Sequence, residues 1–251
     1  MGPRVLYPTP RTAARVRLFC LPHSGAGASV FRPWSAQIDE RIEIAAVQLP
    51  GREELIGEPP YASLGCLLND LCAALAGHID RPYAMFGHSM GARLAFLVTH
   101  ELHARGARLP ERWFFSACPA PSAAPADVSW KLADSELVER LRSLGGTPAA
   151  VLDDADLTEL LIPVVHADLM VCAGWNEVRR RALAVPIRTF AGSDDRYATP
   201  ERHLAWDRET SAGCAHSVLA GGHFFLPAAL RSVLGIIGAD LLAPAPAGEG
   251  R

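Results

Sequence analysis

Three residues far apart in the sequence are of the types that together perform acyl transfer. Ser89 is the central residue of a G-x-S-x-G motif at positions 87–91, and His223 follows a pair of glycines near the end of the chain. A serine hydroxyl is a weak nucleophile until a base removes its proton, so it needs a nearby histidine that a carboxylate holds in place. The sequence therefore predicts a Ser-His-acid hydrolase with Ser89 as nucleophile and His223 as base.

Two adjacent aspartates compete for the acidic role. Asp194 and Asp195 follow Gly192, directly after the apolar run 185–190. Along the chain the serine comes first, then the acid and then the histidine. Enzymes that carry the serine on a sharp strand-to-helix turn have the same order. The position three residues after Gly192 favours Asp195, and Asp194 is then expected to cap or brace the turn.

The charge that develops on oxygen during acyl transfer needs N–H groups already pointing at it. The backbone N–H of Met90, directly after the serine, is expected to be one donor. The loop 22–27 is expected to supply the second, because its small residues let the backbone come close. A tight turn without this role is the alternative. A phosphate cradle is disfavoured, since the loop has neither the G-x-x-x-x-G-K-[ST] pattern nor a full G-x-G-x-x-G pattern.

Other histidines have simpler interpretations. His88 precedes the serine, and we expect it to pack or to orient the turn. His100 and His103 share a helix face at a spacing that metal sites use. No carboxylate or cysteine partner is suggested for them, so a solvated or core position is favoured and no metal site is predicted.

Short apolar runs alternate with segments of helical periodicity along most of the chain. The predicted strands are 16–21, 42–48, 83–87, 112–117, 185–190 and 214–219, and the predicted helices are 30–38, 63–79, 90–105, 200–210 and 226–241. This alternation predicts an α/β fold with a mostly parallel sheet covered by helices on both faces.

One segment departs from this alternation. Residues 120–182 begin with the Pro- and Ala-rich CPAPSAAPA and continue as helical patterns without a convincing strand. We expect a helical lid over the carboxyl ends of the strands, where open α/β sheets bind ligands. The prediction is a single domain over 15–241, with a flexible N-terminus at 1–14 and a flexible tail at 242–251.

Composition excludes several classes of protein. The 251 residues carry 24 Lys and Arg against 27 Asp and Glu, so the net charge of −3 offers no basic field for nucleic acid or for an anionic membrane. The uncharged stretch 210–230 contains Gly, His and Pro, and no membrane span is expected. The six cysteines form no C-x-x-C pair and no export signal is recognised, which favours a cytoplasmic protein.

Five segments carry a more specific signal, namely LFCLPHSGAGASVFRPW, VQLPGRE, FGHSMGARLAF, ELVERLRSLGGTP and GGHFFL. Over about residues 15–240 the chain resembles the type II thioesterases that accompany polyketide and nonribosomal peptide synthetases. The fourth segment lies in the insertion and is characteristic of these enzymes. The resemblance implies an α/β-hydrolase that removes unwanted acyl groups from the phosphopantetheine arm of acyl or peptidyl carrier proteins and so restores stalled synthases.

The resemblance also assigns roles to individual residues. It implies that Ser89 is the nucleophile, His223 the base and Asp195 the orienting acid. Ser24 takes the amide-donating position of the oxyanion loop. Arg196 departs from the pattern, since many members have proline there. No cofactor of the enzyme itself is implied, because the phosphopantetheine belongs to the substrate.

Carrier proteins are generally acidic, so we expect local positive charge to dock them. The candidates are Arg179, Arg180, Arg181 and Arg52, although a run of charges is also typical of a solvated surface. A monomer is expected. Two other functions stay open: a small-molecule esterase or amidase, because a triad does not name its leaving group, and a catalytically silent hydrolase fold that serves as a binding module.

Overall fold

A central sheet organises the molecule. The computed structural model describes residues 2–126 and 128–243, and within them seven strands form one sheet in the order β1-β3-β2-β4-β5-β6-β7. The strands are β1 Arg4–Leu6, β2 Val16–Leu21, β3 Ile42–Gln48, β4 Tyr83–His88, β5 Trp113–Ser116, β6 Ile187–Gly192 and β7 Cys214–Leu219. Strands β2 to β7 pair in parallel, and β1 is antiparallel to β3. The predicted mostly parallel sheet is confirmed.

Helices cover both faces of this sheet. The described α-helices are α1 Arg32–Ser35, α2 Leu64–Ala76, α3 Met90–Ala104, α4 Asp134–Leu144, α5 Ala149–Leu152, α6 Ala155–Cys172, α7 Pro200–His203 and α8 Leu226–Leu242. Helices α2 and α3 pack into one apolar core, and α1 and α8 pack into a second core on the opposite face. Residues alternate between the two cores along β2, where Phe19 belongs to the first and Leu18 to the second, because successive side chains of a strand point to opposite faces.

The segment between β5 and β6 forms the helical insertion. Helices α4 and α6 share a small apolar core of Leu137, Ile162 and Val165, which is separate from the two cores of the sheet. Gly145 ends α4 in the left-handed conformation with φ 77°, a conformation that glycine adopts without strain. Val165 also lines the cavity that contains Ser89, so the insertion lies over the predicted active site as a lid would.

The N-terminal segment differs from the expected flexible one. Arg4–Leu6 pair with Ala46–Gln48, and the backbone N–H of Arg11 donates to Glu43 at 2.7 Å. The sequence does not predict β1, because three residues are too few to show alternation of apolar and polar side chains. The prolines beside the strand are also typical of a linker. The predicted tail, 242–251, falls mostly on residues 244–251, which lie outside the described residues.

Two predicted helices are shorter than expected. The segment 30–38 is a 3-10 turn followed by α1, and 200–210 is α7 followed by the 3-10 turn Leu204–Arg208. The Arg11 guanidinium donates to the carbonyl oxygens of Ser35, the last residue of α1, of Asp39 in the segment that leads into β3, and of Ile42, where β3 begins. These backbone carbonyls are therefore hydrogen-bonded without an extension of the helix. Their donor, Arg11, lies more than 20 residues earlier, so the local sequence pattern does not reveal it.

One helical stretch, Ala155–Glu177, is long and apolar enough by composition to cross a membrane. Its Asp168 is 3% exposed and forms an ion pair with Arg52 of the main domain. We interpret this stretch as a lid helix packed on the domain, since the core helix of a globular protein passes the same composition test.

Candidate active site

The serine sits on the turn between β4 and α3. Ser89 has φ 53° and ψ −114°, a strained conformation for a residue other than glycine. A Cβ on Gly87 would overlap the backbone of Gly91, and a Cβ on Gly91 would overlap the carbonyl of Leu21. The two glycines therefore let strand and helix pass close enough to hold the Ser89 side chain out of the turn.

The structure brings Ser89, His223 and Asp195 together. Nε2 of His223 is 3.1 Å from Oγ of Ser89, and Nδ1 of His223 is 2.8 Å from Oδ2 of Asp195. His223 is 8% exposed and Asp195 3% exposed, so both side chains are largely shielded from water. This geometry suits transfer of the serine proton to an imidazole that the carboxylate orients.

The environment of Asp195 keeps it ionised. Burial raises the pKa of the carboxyl, but the hydrogen bond with His223 and the N–H groups of Ala198 and Tyr197 outweigh it, so the pKa lies below its ordinary value. These N–H groups donate to Oδ1 at 3.0 and 2.9 Å. Asp194 is exposed and accepts from the Ser193 hydroxyl at 3.0 Å. Of the two adjacent aspartates, the structure therefore places Asp195 against the histidine.

The loop after β6 and the loop after β7 are hydrogen-bonded to each other next to His223. The N–H of Asp194 donates to the carbonyl of Gly221 at 2.9 Å, and the N–H of Gly221 donates to the Ser193 hydroxyl at 3.2 Å. Gly221 has φ +124°, which a side chain would not tolerate. This pairing fixes the distance between the β6 loop, which carries Asp195, and the β7 loop, which carries His223.

The predicted oxyanion donors lie beside the serine. Ser24 and Met90 line the same cavity as Ser89. The loop that carries Ser24 turns at Gly25, where φ is +79°. The Gly25 N–H donates to Oδ2 of Asp168 at 2.8 Å, so a residue of lid helix α6 holds this loop. Nothing in the sequence pattern singled out Asp168, which lies 143 residues away from its partner.

Arg52 differs from its expected role as a docking residue. It is 6% exposed, and its two Nη atoms donate to the two carboxylate oxygens of Asp168 at 2.6 and 2.9 Å. Its Nη1 also donates to the carbonyl of Ala26 at 3.3 Å. A buried bidentate pair of this kind is shielded from a partner protein. Arg52 and Asp168 therefore join helix α6 to the loop that carries Ser24.

The three consecutive arginines lie elsewhere. Arg179, Arg180 and Arg181 are exposed after the lid, and Arg180 forms an ion pair with Glu101 at 3.5 Å. The Arg179 guanidinium donates to the carbonyls of Asn176 and Val178 at 2.8 Å. None of the three lines the cavity around Ser89. If they contribute to function, they do so by binding a partner at the surface and not by contacting the reacting atoms.

Two further histidines, His23 and His88, lie close to His223. His88 Nδ1 is 2.9 Å from the Ser116 hydroxyl, and its ring contacts those of His23 and His223. Burial lowers the pKa of His23 to about 4 and that of His88 well below its ordinary value. Both rings are therefore neutral near pH 7 and add no positive charge beside His223.

Three adjoining spaces lie at or near the serine. The catalytic cavity, of about 70 Å³, contains Ser24, Ser89, Met90 and His223. On one side it adjoins the apolar cavity, of about 600 Å³, whose lining includes Phe31, Trp34, Val151, Leu161, Phe224 and Leu230. On the other side it adjoins the outer groove, of about 630 Å³, whose lining includes Ser129, Arg140, Asp194, Arg196, Tyr197 and Arg202.

One described cluster has the residue types of a metal site. Asp207, Cys214 and His216 bring their ligand atoms within 4.8 Å of one another. Nδ1 of His216 is 2.9 Å from the Thr189 hydroxyl, and its Nε2 is 3.0 Å from Asp207. These hydrogen bonds occupy both ring nitrogens and explain the arrangement without an ion.

Known proteins match this chain along nearly its whole length. The thioesterase domain family matches residues 16–241. The gramicidin S biosynthesis protein GrsT of Aneurinibacillus migulanus is 34% identical over 216 residues, which are 86% of this chain and 84% of that protein. The chain belongs to the thioesterase family.

Solved structures agree with this assignment. The thioesterase RedJ from the prodiginine biosynthetic pathway of Streptomyces coelicolor superposes with a TM-score of 0.87 at 35% identity, covering 92% of each chain. BorB, a type II thioesterase from the borrelidin biosynthetic cluster, also gives 0.87, at 34% identity, covering 95% of this thioesterase and 97% of that chain. The α/β-hydrolase fold and the resemblance to type II thioesterases are confirmed.

Proposed function

We propose that this thioesterase releases acyl groups from the phosphopantetheine arms of acyl or peptidyl carrier proteins, and so clears synthases stalled by aberrant acyl groups. The observation that carries the proposal is the hydrogen-bonded chain from Ser89 through His223 to Asp195, at the junction of an apolar cavity and a wider groove. Such a junction suits a substrate with an apolar acyl group on one side of its reacting carbon and a long polar arm on the other.

Each residue has a defined part in the reaction. The Ser89 oxygen attacks the thioester carbonyl carbon while Nε2 of His223 takes the hydroxyl proton. The N–H groups of Met90 and Ser24 stabilise the oxyanion, and each donor of this kind contributes roughly 3–4 kcal/mol to the transition state. The carbon–sulfur bond then breaks, and the sulfur leaves with the proton from His223. Water, deprotonated by His223, releases the carboxylic acid and restores the Ser89 hydroxyl.

The leaving group makes modest demands on the protein. A thiol with a pKa of about 8.5 departs more readily than an alcohol, so the bond needs little distortion. The chain contributes a positioned base, an oxyanion site and shielding from water by the lid. Asp195, with its lowered pKa, stays ionised and stabilises the imidazolium of His223 between the two proton transfers.

The relatives support the choice of a carrier-bound substrate. BorB is a type II thioesterase of a biosynthetic cluster, and GrsT serves gramicidin S biosynthesis. The exposed Arg179, Arg180 and Arg181 remain our proposed contacts for an acidic carrier. We also propose a cytoplasmic monomer, in keeping with six cysteines that are all free.

The test is intact-mass spectrometry of carrier proteins loaded with a panel of acyl groups. The native enzyme is expected to return them to the free-thiol mass, and the Ser89→Ala variant is expected to leave them acylated. The same acyl groups are offered in parallel as p-nitrophenyl esters. Hydrolysis of the esters with no hydrolysis of the carriers would identify a small-molecule esterase instead, and inactivity on both would favour a binding module.

A further inference from the structure

The outer groove differs in charge from the apolar cavity. Three arginines line it, Arg140 from lid helix α4 and Arg196 and Arg202 from the segment after β6. The residues described along the wall of the apolar cavity include no Asp, Glu, Lys or Arg. The two spaces on either side of Ser89 are therefore suited to chemically different parts of one ligand.

The outer groove reaches the reacting atoms. It shares Arg140, Leu144, Tyr197 and His223 with the catalytic cavity. The base of the triad thus forms part of the wall between the two spaces. A ligand bound with its reacting carbon at Ser89 can extend directly into the groove.

Two of these guanidinium groups have no partner among the residues that the structure describes. Within residues 2–126 and 128–243, the side chains of Arg140 and Arg196 form no hydrogen bond or ion pair. Arg140 is half-buried and Arg196 exposed. Arg202 donates to the carbonyl of Tyr197 at 2.6 Å. Among the described residues that line the groove, the opposing charges are Asp194, which accepts from Ser193, and Asp195, which is paired with His223, so the three arginines exceed the two carboxylates.

We infer that the outer groove binds the phosphate of the phosphopantetheine arm through Arg140 and Arg196, with Arg202 adding charge behind them. The inference rests on the proposed function, which supplies the arm. A guanidinium recognises phosphate by paired, charge-assisted N–H···O bonds, and unpaired arginines at a groove are suited to this. The acyl group then occupies the apolar cavity, so the groove fixes the direction in which the substrate enters.

The two arginines belong to different parts of the fold. Arg140 approaches from the lid, whereas Arg196 approaches from the sheet. A phosphate held between them would therefore also hold the lid against the domain while the thioester is cleaved.

The experiment compares two substrates that differ only in the phosphate, S-acyl phosphopantetheine and S-acyl pantetheine with the same acyl group. We expect the native enzyme to favour the phosphorylated substrate in kcat/KM by about tenfold, equivalent to about 1.4 kcal/mol. Arg140→Gln and Arg196→Gln should each reduce this ratio, and the double variant should bring it close to one. Arg231→Gln, which changes an exposed arginine of α8 outside the groove, is the matched control and should keep the native ratio.

Calorimetric binding of phosphopantetheine and of pantetheine to the native enzyme provides a readout that needs no turnover. Tighter binding of the phosphorylated molecule, lost in the double variant, would support the phosphate site even if carrier proteins were not hydrolysed. Equal binding of the two molecules, or a preference that survives in the double variant, would overturn it. In that case hydrolysis of acyl-carrier proteins would still uphold the proposed function.

Discussion

Replacing Asp168 tests how the lid and the oxyanion loop depend on each other. The carboxylate is 3% exposed, pairs with the 6% exposed Arg52 through both oxygens, and accepts the N–H of Gly25. Asp168→Ala leaves the Arg52 guanidinium buried without its counter-charge, and breaking a buried pair in this way costs about 3–5 kcal/mol. A chain of this length loses about 2–4 °C in Tm per kcal/mol, so a decrease of roughly 6–20 °C is expected.

Activity should fall as well. Without its acceptor the Gly25 N–H no longer holds the loop that presents Ser24. Loss of one oxyanion donor costs about 10²–10³ in kcat, which sets the upper limit of the effect. We expect kcat to fall at least about tenfold with little change in KM, since the apolar cavity and the outer groove stay in place. Asp168→Asn keeps an oxygen for the Gly25 N–H and should retain more of the kcat.

The assay combines urea denaturation with turnover of a soluble acyl thioester. Glu159→Ala, an exposed change on the same helix, is the control and should alter the free energy of unfolding by no more than about 0.5 kcal/mol. The double variant Arg52→Met/Asp168→Leu removes both charges and should be less destabilised than the sum of the single variants. An Asp168→Ala enzyme with native Tm and native kcat would refute the reasoning.

Three further changes follow from the structure. Gly91→Ala should cost about 1–3 kcal/mol and lower kcat because its Cβ would overlap the Leu21 carbonyl, whereas Gly65→Ala, which meets no atom, should be tolerated; thermal melts and kinetics compare the two. Burial lowers the pKa of His203 from 6.5 to about 4 in the folded protein. As the pH falls from 6.5 towards 4, the unfolded chain binds a proton at this histidine before the folded protein does, and the free energy of unfolding decreases. That loss is about 3 kcal/mol, and urea titrations at several pH values should show a shallower decline for His203→Leu. Trp34→Phe enlarges the apolar cavity and should move the optimum of kcat/KM towards longer acyl chains, and an unchanged optimum would place the acyl group elsewhere.

The parallel sheet and the elbow were predictable because their signals are local. Strands β2 to β6 are almost entirely buried and read as apolar runs. The glycines around Ser89 follow from sterics within a few residues. The order of serine, acid and histidine along the chain then restricts where the partners of Ser89 can come from. The fold class was therefore accessible from sequence, as was the grouping of Ser89, His223 and Asp195 in space.

Contacts made at long sequence separation were not accessible. The edge strand β1 depends on hydrogen bonds with β3, and its three residues show no periodicity. Arg52 was expected at the surface because an arginine in a polar loop is usually solvated. Its partner lies 116 residues away on the lid, and a single sequence holds no signal that pairs the two. The same limit applies to the outer groove, because its walls come from α4, from the segment before α4 and from the loops after β6 and β7.

The convergence of Ser89, His223 and Asp195 on one activated hydroxyl is tested most directly by intact-mass spectrometry after reaction with a fluorophosphonate probe. The native protein should gain the mass of one probe, and peptide mapping should locate it on Ser89. His223→Ala should slow labelling by at least about a hundredfold, the scale of general-base catalysis. A native protein that stays unlabelled, or a Ser89→Ala variant labelled as fast as the native one, would contradict the assignment.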